Sequence, residues 1–257
     1  MHLELTGKVA VVTGASKGIG LAVTSALAAE GVRVAAGART SGALAGLEVH
    51  AVPVDLAAAD GPARLIDEAV STFGGLDILV NNVGSVHPHL GGFESITDED
   101  WLSALTLNLL AAVRTTRAAL PHLVQRGGGN IVTISSVNAF LPDPAIMDYT
   151  AAKAALTNFC KALSKEVGRK GIRVNTISPG PVSTPLWLGA GGVAATFAAA
   201  SGTDPSAVEE GAVAGSATGR FTTPEEVADL VLVLASGRAG NVTGSDFVID
   251  GGLIQTL

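Results

Sequence analysis

Tyr149 and Lys153 stand four residues apart in Asp148-Tyr-Thr-Ala-Ala-Lys-Ala-Ala-Leu156. The stretch reads as helix, so the phenol and the ammonium project from one face. A phenol is ordinarily too weak an acid to act near neutral pH. A neighbouring cation favours phenolate, which is expected to draw its pKa down toward the working range and make the pair a proton donor. The same spacing occurs on many solvated helix faces, so the chemistry depends on what accompanies it.

Near the N-terminus, Lys8-Val-Ala-Val-Val12 reads as a buried strand that runs into Thr13-Gly-Ala-Ser-Lys-Gly-Ile-Gly20 and then an apolar-periodic helix. Strand, glycine turn and helix make a phosphate cradle. Gly14 permits a tight turn, Gly18 and Gly20 let backbone come close, and the helix start offers unpaired N–H groups and a positive dipole end. The glycine spacing departs from G-x-G-x-x-G, and a purely structural turn would read much the same. Ser136 closes the apolar run that begins at Asn130 and lies thirteen residues before Tyr149.

Together, the Thr-Gly-x-x-x-Gly-x-Gly turn, Asn81-Asn-Val-Gly84, Ser136 ahead of Tyr-x-x-x-Lys, and Pro179-Gly180 resemble the short-chain dehydrogenase/reductase family over nearly the whole chain. The resemblance implies a single-domain fold, a nicotinamide cofactor and four catalytic positions, matched here by Asn108, Ser136, Tyr149 and Lys153. By that likeness, Tyr149 would protonate a carbonyl oxygen as hydride reaches the carbon, and Ser136 would hold the oxygen. Lys153 would lower the phenol's pKa and bind the nicotinamide ribose. Asn108 would hold a water linking Lys153 to solvent, with a helix–helix hydrogen bond as the alternative use of its amide. Val83 departs from the Ala that the family commonly has.

The same likeness assigns Gly14, Ser16, Lys17, Gly18, Ile19 and Gly20 to the cofactor turn, and Asp55 with Leu56 to the adenine. Asp55 has a turn or capping role as its alternative. Asn82, Val83 and Gly84 would lie along the adenosine ribose and diphosphate, and Pro179, Gly180, Val182 and Thr184 along the nicotinamide, beside Tyr149 and Lys153. At the end of the second strand, Ala38 stands where relatives preferring NAD(H) often carry Asp, and Arg39 follows. Lys17 adds a second cation. Two cations and no acid point to NADP(H) rather than NAD(H).

Short β-branched runs (8–12, 32–36, 49–54, 77–80, 130–134, 172–177 and 246–249) alternate with helical patterns (18–29, 61–72, 98–123, 148–167 and 224–235). That order predicts an α/β fold: one doubly wound, Rossmann-like parallel sheet spanning residues 1–257 as a single domain, with ligands at the carboxyl ends of the strands. Residues 186–218, rich in Ala, Gly and Ser, read either as a substrate lid or as a surface loop with one poorly marked helix. His87 and His89 suggest a metal pair, but nothing nearby supplies further ligands, so a solvated loop or pocket wall is expected and no metal site.

A net charge of −7 argues against nucleic acid or an anionic membrane as the main partner. One cysteine, Cys160, allows no internal disulfide. The early apolar stretch stops at Thr13, and no apolar run approaches membrane-spanning length, so a cytoplasmic protein is expected. The leading reading is an NADP(H)-dependent oxidoreductase interconverting a ketone and a secondary alcohol. Within the family, a 3-oxoacyl-thioester reductase and a sugar or polyol dehydrogenase are alternatives, and a non-catalytic NADP(H)-binding sensor is a further one. Relatives of this size commonly form homotetramers through two long helices and the last strand, and the same is expected here.

Overall fold

Val9 and Val11 face one side of the sheet, Ala10 and Val12 the other, and all four are fully buried. A strand covered on both faces reads as a continuous apolar run, which is what a parallel sheet between two helical layers requires. The computed structural model describes residues 2–256. Its seven strands are β1 (Val9–Thr13), β2 (Arg33–Ala38), β3 (His50–Pro53), β4 (Ile78–Asn81), β5 (Gly129–Ile134), β6 (Ile172–Pro179) and β7 (Asp246–Ile249). They form one sheet in the order β3-β2-β1-β4-β5-β6-β7, parallel throughout.

Helices α1 (Gly18–Ala29) and α9 (Pro224–Ala235) cover one face through Val23, Leu27, Val227 and Val231. On the opposite face, α2 (Gly61–Phe73), α4 (Ala111–Gln125) and α5 (Met147–Val167) bury Leu65, Ile66, Leu123 and Leu156. Each such side chain contributes roughly 1.5–3 kcal/mol by leaving water. Strand order reverses between β1 and β4, whose register pairs Val12 with Val80. The chain diverges there above the strand ends and leaves a crevice.

Two segments differ from the sequence expectation. The helix expected over 98–123 is α3 (Asp98–Leu105), a π-helical turn Thr106–Leu110 and then α4. The interruption centres on Asn108, whose Nδ2 donates to the Ala104 carbonyl at 3.0 Å. Residues 186–218 hold not one helix but most of α6 (Pro185–Leu188) together with α7 (Val193–Ser201) and α8 (Pro205–Val213). Their starts are marked: Pro185 and Pro205 occupy first-turn positions, and the Asp204 side chain accepts from Ser206 N at 2.9 Å. Alanine's helix propensity does the rest. Among the described residues no helix is long and apolar enough to cross a membrane.

Candidate active site

Thr13 ends β1, and its hydroxyl ties the crevice together. It accepts from Asn82 N at 2.8 Å and Val83 N at 3.1 Å, and donates to the Val80 carbonyl at 3.3 Å. Asn82 Nδ2 returns the contact by donating to the Thr13 and Gly14 carbonyls at 2.9 and 3.2 Å. The glycine turn is thus pinned to the loop after β4. Gly14 and Gly18 have φ of +66° and +52°, the left-handed region that glycine enters without strain. A Cβ on Gly14 would meet Val83 Cα at 3.0 Å, and one on Gly18 would meet Thr184 Cγ2 at 3.1 Å.

A cleft of 1220 Å³ opens above this turn. Gly14, Ser16, Lys17, Gly18, Ile19, Arg39, Asp55, Leu56, Asn82, Val83 and Gly84 line one part of it, and Ser136, Tyr149, Lys153, Pro179, Gly180, Val182 and Thr184 line another. Two of the residues expected at the site do not line it: Gly20 and Asn108. A Cβ on Gly20 would sit 2.2 Å from the Gly14 carbonyl oxygen, so this glycine lets the helix pack under the turn. Asn108 is 1% exposed, and its Oδ1 accepts from Ser85 N at 3.0 Å. It holds the loop behind Gly84, where an added Cβ would stand 2.8 Å from that same oxygen. The Asp55 turn is present as well, with Oδ1 accepting from Ala57 N at 3.0 Å.

The residues fit a dinucleotide. No side chain caps the start of α1, its first turn carries no acid, and Gly18 and Ile19 of that turn line the cleft, which suits a helix start for an anion. Lys17, within the turn, and Arg39, just after β2, are both exposed and line the cleft.

At the other end Lys153 is 4% exposed, and its Nζ donates to the Ile134 carbonyl at 2.9 Å. Burial pushes its pKa down to about 8. Nζ stands 5.7 Å from the centre of the Tyr149 ring. The phenol does not follow the sequence expectation: burial pushes it above its ordinary value, and the nearby Ser136 hydroxyl, which favours phenolate, offsets only part of the rise. In a desolvated site, the penalty on phenolate outweighs a cation that is itself desolvated and engaged elsewhere.

His89 is not part of a solvated loop or of the cleft wall. It is buried, its Nε2 lies 3.1 Å from Asp148 Oδ2, and its backbone N donates to the Ala145 carbonyl at 2.7 Å. Asp148 Oδ1 in turn accepts from Tyr149 N at 2.8 Å, so the pair fixes the start of α5. His87 is exposed and lies edge-on to His89 at 5.3 Å between ring centres. Among the described residues, no cluster of three or more His, Cys, Asp or Glu is placed to hold a metal ion.

Thr13, Ser85 and Asn138 were not among the residues expected at the site, yet Ser85 and Asn138 line the cleft. A threonine at a strand end ahead of a glycine turn was the available signal for the first. The other two act through loop geometry and had none.

Known proteins match this chain over nine-tenths or more of their own length. The family model described as Enoyl-(Acyl carrier protein) reductase matches residues 14–254. The chain is 32% identical to the 3-oxoacyl-acyl-carrier-protein reductase FabG of Thermotoga maritima, covering 98% of this chain and all of that one. It is 34% identical to the 3-alpha-(or 20-beta)-hydroxysteroid dehydrogenase of Mycobacterium tuberculosis, covering 100% and 93%. Among solved structures, the L-sorbose reductase of Gluconobacter frateurii, crystallised with NADPH and L-sorbose, superposes with a TM-score of 0.92 at 36% identity over all of both chains. With one parallel Rossmann-like sheet, a glycine turn at its switch point and relatives that are reductases and dehydrogenases, the chain belongs to the short-chain dehydrogenase/reductase family of oxidoreductases.

Proposed function

We propose that the protein is an NADP(H)-dependent reductase of ketones, run in reverse on secondary alcohols, with Tyr149 as the proton donor. One observation carries this reading: Ser136, Tyr149 and Lys153 line the same cleft as the glycine turn, Lys17 and Arg39, with no acid beside those cations at the end of β2. The adenosine 2′-phosphate would lie between Lys17 and Arg39, the diphosphate against Gly14 to Ile19 at the start of α1, and the nicotinamide along Pro179 to Thr184. When bound, the nicotinamide supplies a hydride to the carbonyl carbon. Ser136 and Tyr149 then share the oxygen on which charge grows, and Tyr149 gives it a proton. The raised pKa keeps Tyr149 protonated at neutral pH, as an acid must be before the step. Lys153, with Nζ on Ile134 O, stands behind the phenol to return the proton, and Asn108 holds the loop that backs this route.

The substrate end is walled by Leu141, Leu186, Trp187, Val193 and Phe197, with Ser85, Ser103, Thr106, Asn138 and Asp143 as polar points. Trp187 and Phe221 meet edge to face at 5.7 Å. This wall supports a ketone carried on a largely apolar frame in preference to a polyhydroxylated sugar, with α6 to α8 acting as its lid. Exposed Leu110 and Val124 on the π turn and α4, and Val248 on β7, support the homotetramer expected from the resemblance.

The test is loss of reduced-nicotinamide absorbance with NADPH or NADH and a panel of apolar ketones, 3-oxoacyl thioesters and sugars. Wild type is expected to oxidise NADPH with an apolar ketone, and Tyr149→Phe to lose about 10²–10⁴ in kcat while still binding NADPH. Preference for NADH would overturn the cofactor assignment. NADPH binding without turnover of any class would favour a sensor.

A further inference from the structure

Ser136 has one proton to give, and the structure shows where it goes. Its Oγ accepts from the backbone N of Asn138 at 3.2 Å and donates to Asn138 Oδ1 at 3.1 Å. The orientation of that amide is fixed from its other end, because Asn138 Nδ2 donates to the Leu141 carbonyl at 3.0 Å. Turning the amide over would set two carbonyl oxygens against each other, so Oδ1 must face the serine. Ser136 is 7% exposed, at the wall of the cleft. Asn138 itself lines the cleft beside it.

We propose that Asn138 is a positioning residue that latches Ser136: its amide oxygen holds the serine proton in the resting site and yields it when a substrate oxygen arrives. Three acceptors then compete for one proton: Asn138 Oδ1, the phenolic oxygen of Tyr149 and the oxygen of the substrate. While the latch is closed, Ser136 cannot donate to Tyr149, and the phenol keeps its own proton, as a general acid must. When a carbonyl oxygen enters and begins to carry charge, it becomes the strongest acceptor of the three, and the hydroxyl swings to it. The exchange replaces one hydrogen bond between neutral groups by a stronger one, so opening the latch costs little. An apolar side chain at 138 would leave the serine hydroxyl free to support phenolate. This role rests on the reading of Ser136 and Tyr149 given above.

Tyr149 is the single tyrosine of the chain, so near-ultraviolet phenolate absorbance reports this residue alone. The experiment is an alkaline titration of four proteins without substrate: wild type, Asn138→Ala, Ser136→Ala and the double variant. With Ser136 present, Asn138→Ala is expected to move the Tyr149 midpoint down, because the released proton supports phenolate. In the Ser136→Ala background, the same substitution is expected to leave the midpoint where it was. An equal shift in both backgrounds would mean that the loop has merely loosened and admitted water, and would overturn the proposal, as would no shift at all. The four proteins are then compared in kcat and in KM for NADPH. The expected effect of Asn138→Ala on kcat is about threefold or more with Ser136 and under about twofold without it, with KM for NADPH unchanged. Additive effects would again overturn the latch. The titration needs no turnover, so a failed reductase assay combined with a coupled titration would reject the enzymatic reading and leave the latch standing.

Discussion

Lys153 is a charged group held almost wholly out of water, and its pH dependence follows from that. Its folded pKa is about 8 against 10.5 for the free side chain. Between those values the unfolded chain keeps a proton that the folded chain has shed, so the lysine's contribution to stability rises with pH across the window and is lost as pH falls toward 8. Cys160 works in the opposite sense. Burial pushes its thiol up to about 11 from 9.0, so its contribution falls as pH rises between them. Urea unfolding of wild type and Lys153→Met at pH 8, 9 and 10 separates the two. The stability difference, wild type minus variant, is expected to grow with pH; a flat difference would mean that the lysine is not desolvated. At this scale the residues proposed to do the chemistry were legible, because Tyr149, Lys153 and Ser136 announce themselves by type and spacing. The direction of the phenol's pKa was not legible, since burial is decided by what packs around the ring.

Elements place those residues, and the glycine turn does so within narrow limits. Gly20 reads in the sequence as a cofactor contact, yet its hydrogen faces the Gly14 carbonyl with no room for a methyl. Gly20→Ala is therefore expected to cost about 2–3 kcal/mol or more through overpacking against backbone. Gly211→Ala in α8, where an added Cβ meets nothing within 4 Å, is expected to be neutral or slightly stabilising. Chemical denaturation of the two variants checks the contrast, and equal effects would show that the turn tolerates the methyl. The strands and the helices that cover the sheet were legible to within a few residues because their apolar runs must be buried against it, whereas α6 to α8 were not. The π turn was not. It follows from Asn108 meeting Ser85 N and Ala104 O, and the Ser85 contact spans a distance in sequence that periodicity does not register.

At the scale of the whole molecule, the chain carries a net charge of −7, yet Lys17 and Arg39 line the cleft. NADPH is accordingly expected to raise the unfolding temperature more than NADH at equal concentration, since a ligand at 100 times its Kd stabilises by about 2.7 kcal/mol. Arg39→Ala should erase most of the NADPH advantage and leave the NADH response unchanged. Thermal unfolding with each dinucleotide reads this directly, and an NADPH response that survives in Arg39→Ala would remove the arginine from the 2′-phosphate. The sequence by itself determined the alternation of strand and helix, the family and the set of reactive side chains, because these depend on residue type, period and short spacing. Only the tertiary structure decided that Gly20 and Asn108 stand behind the cleft, that His89 is locked to Asp148, and that the proton of Ser136 is held by Asn138. Those facts depend on which loops the sheet brings together at its carboxyl edge and on how much water they exclude. Neither quantity is written in any local run of residues.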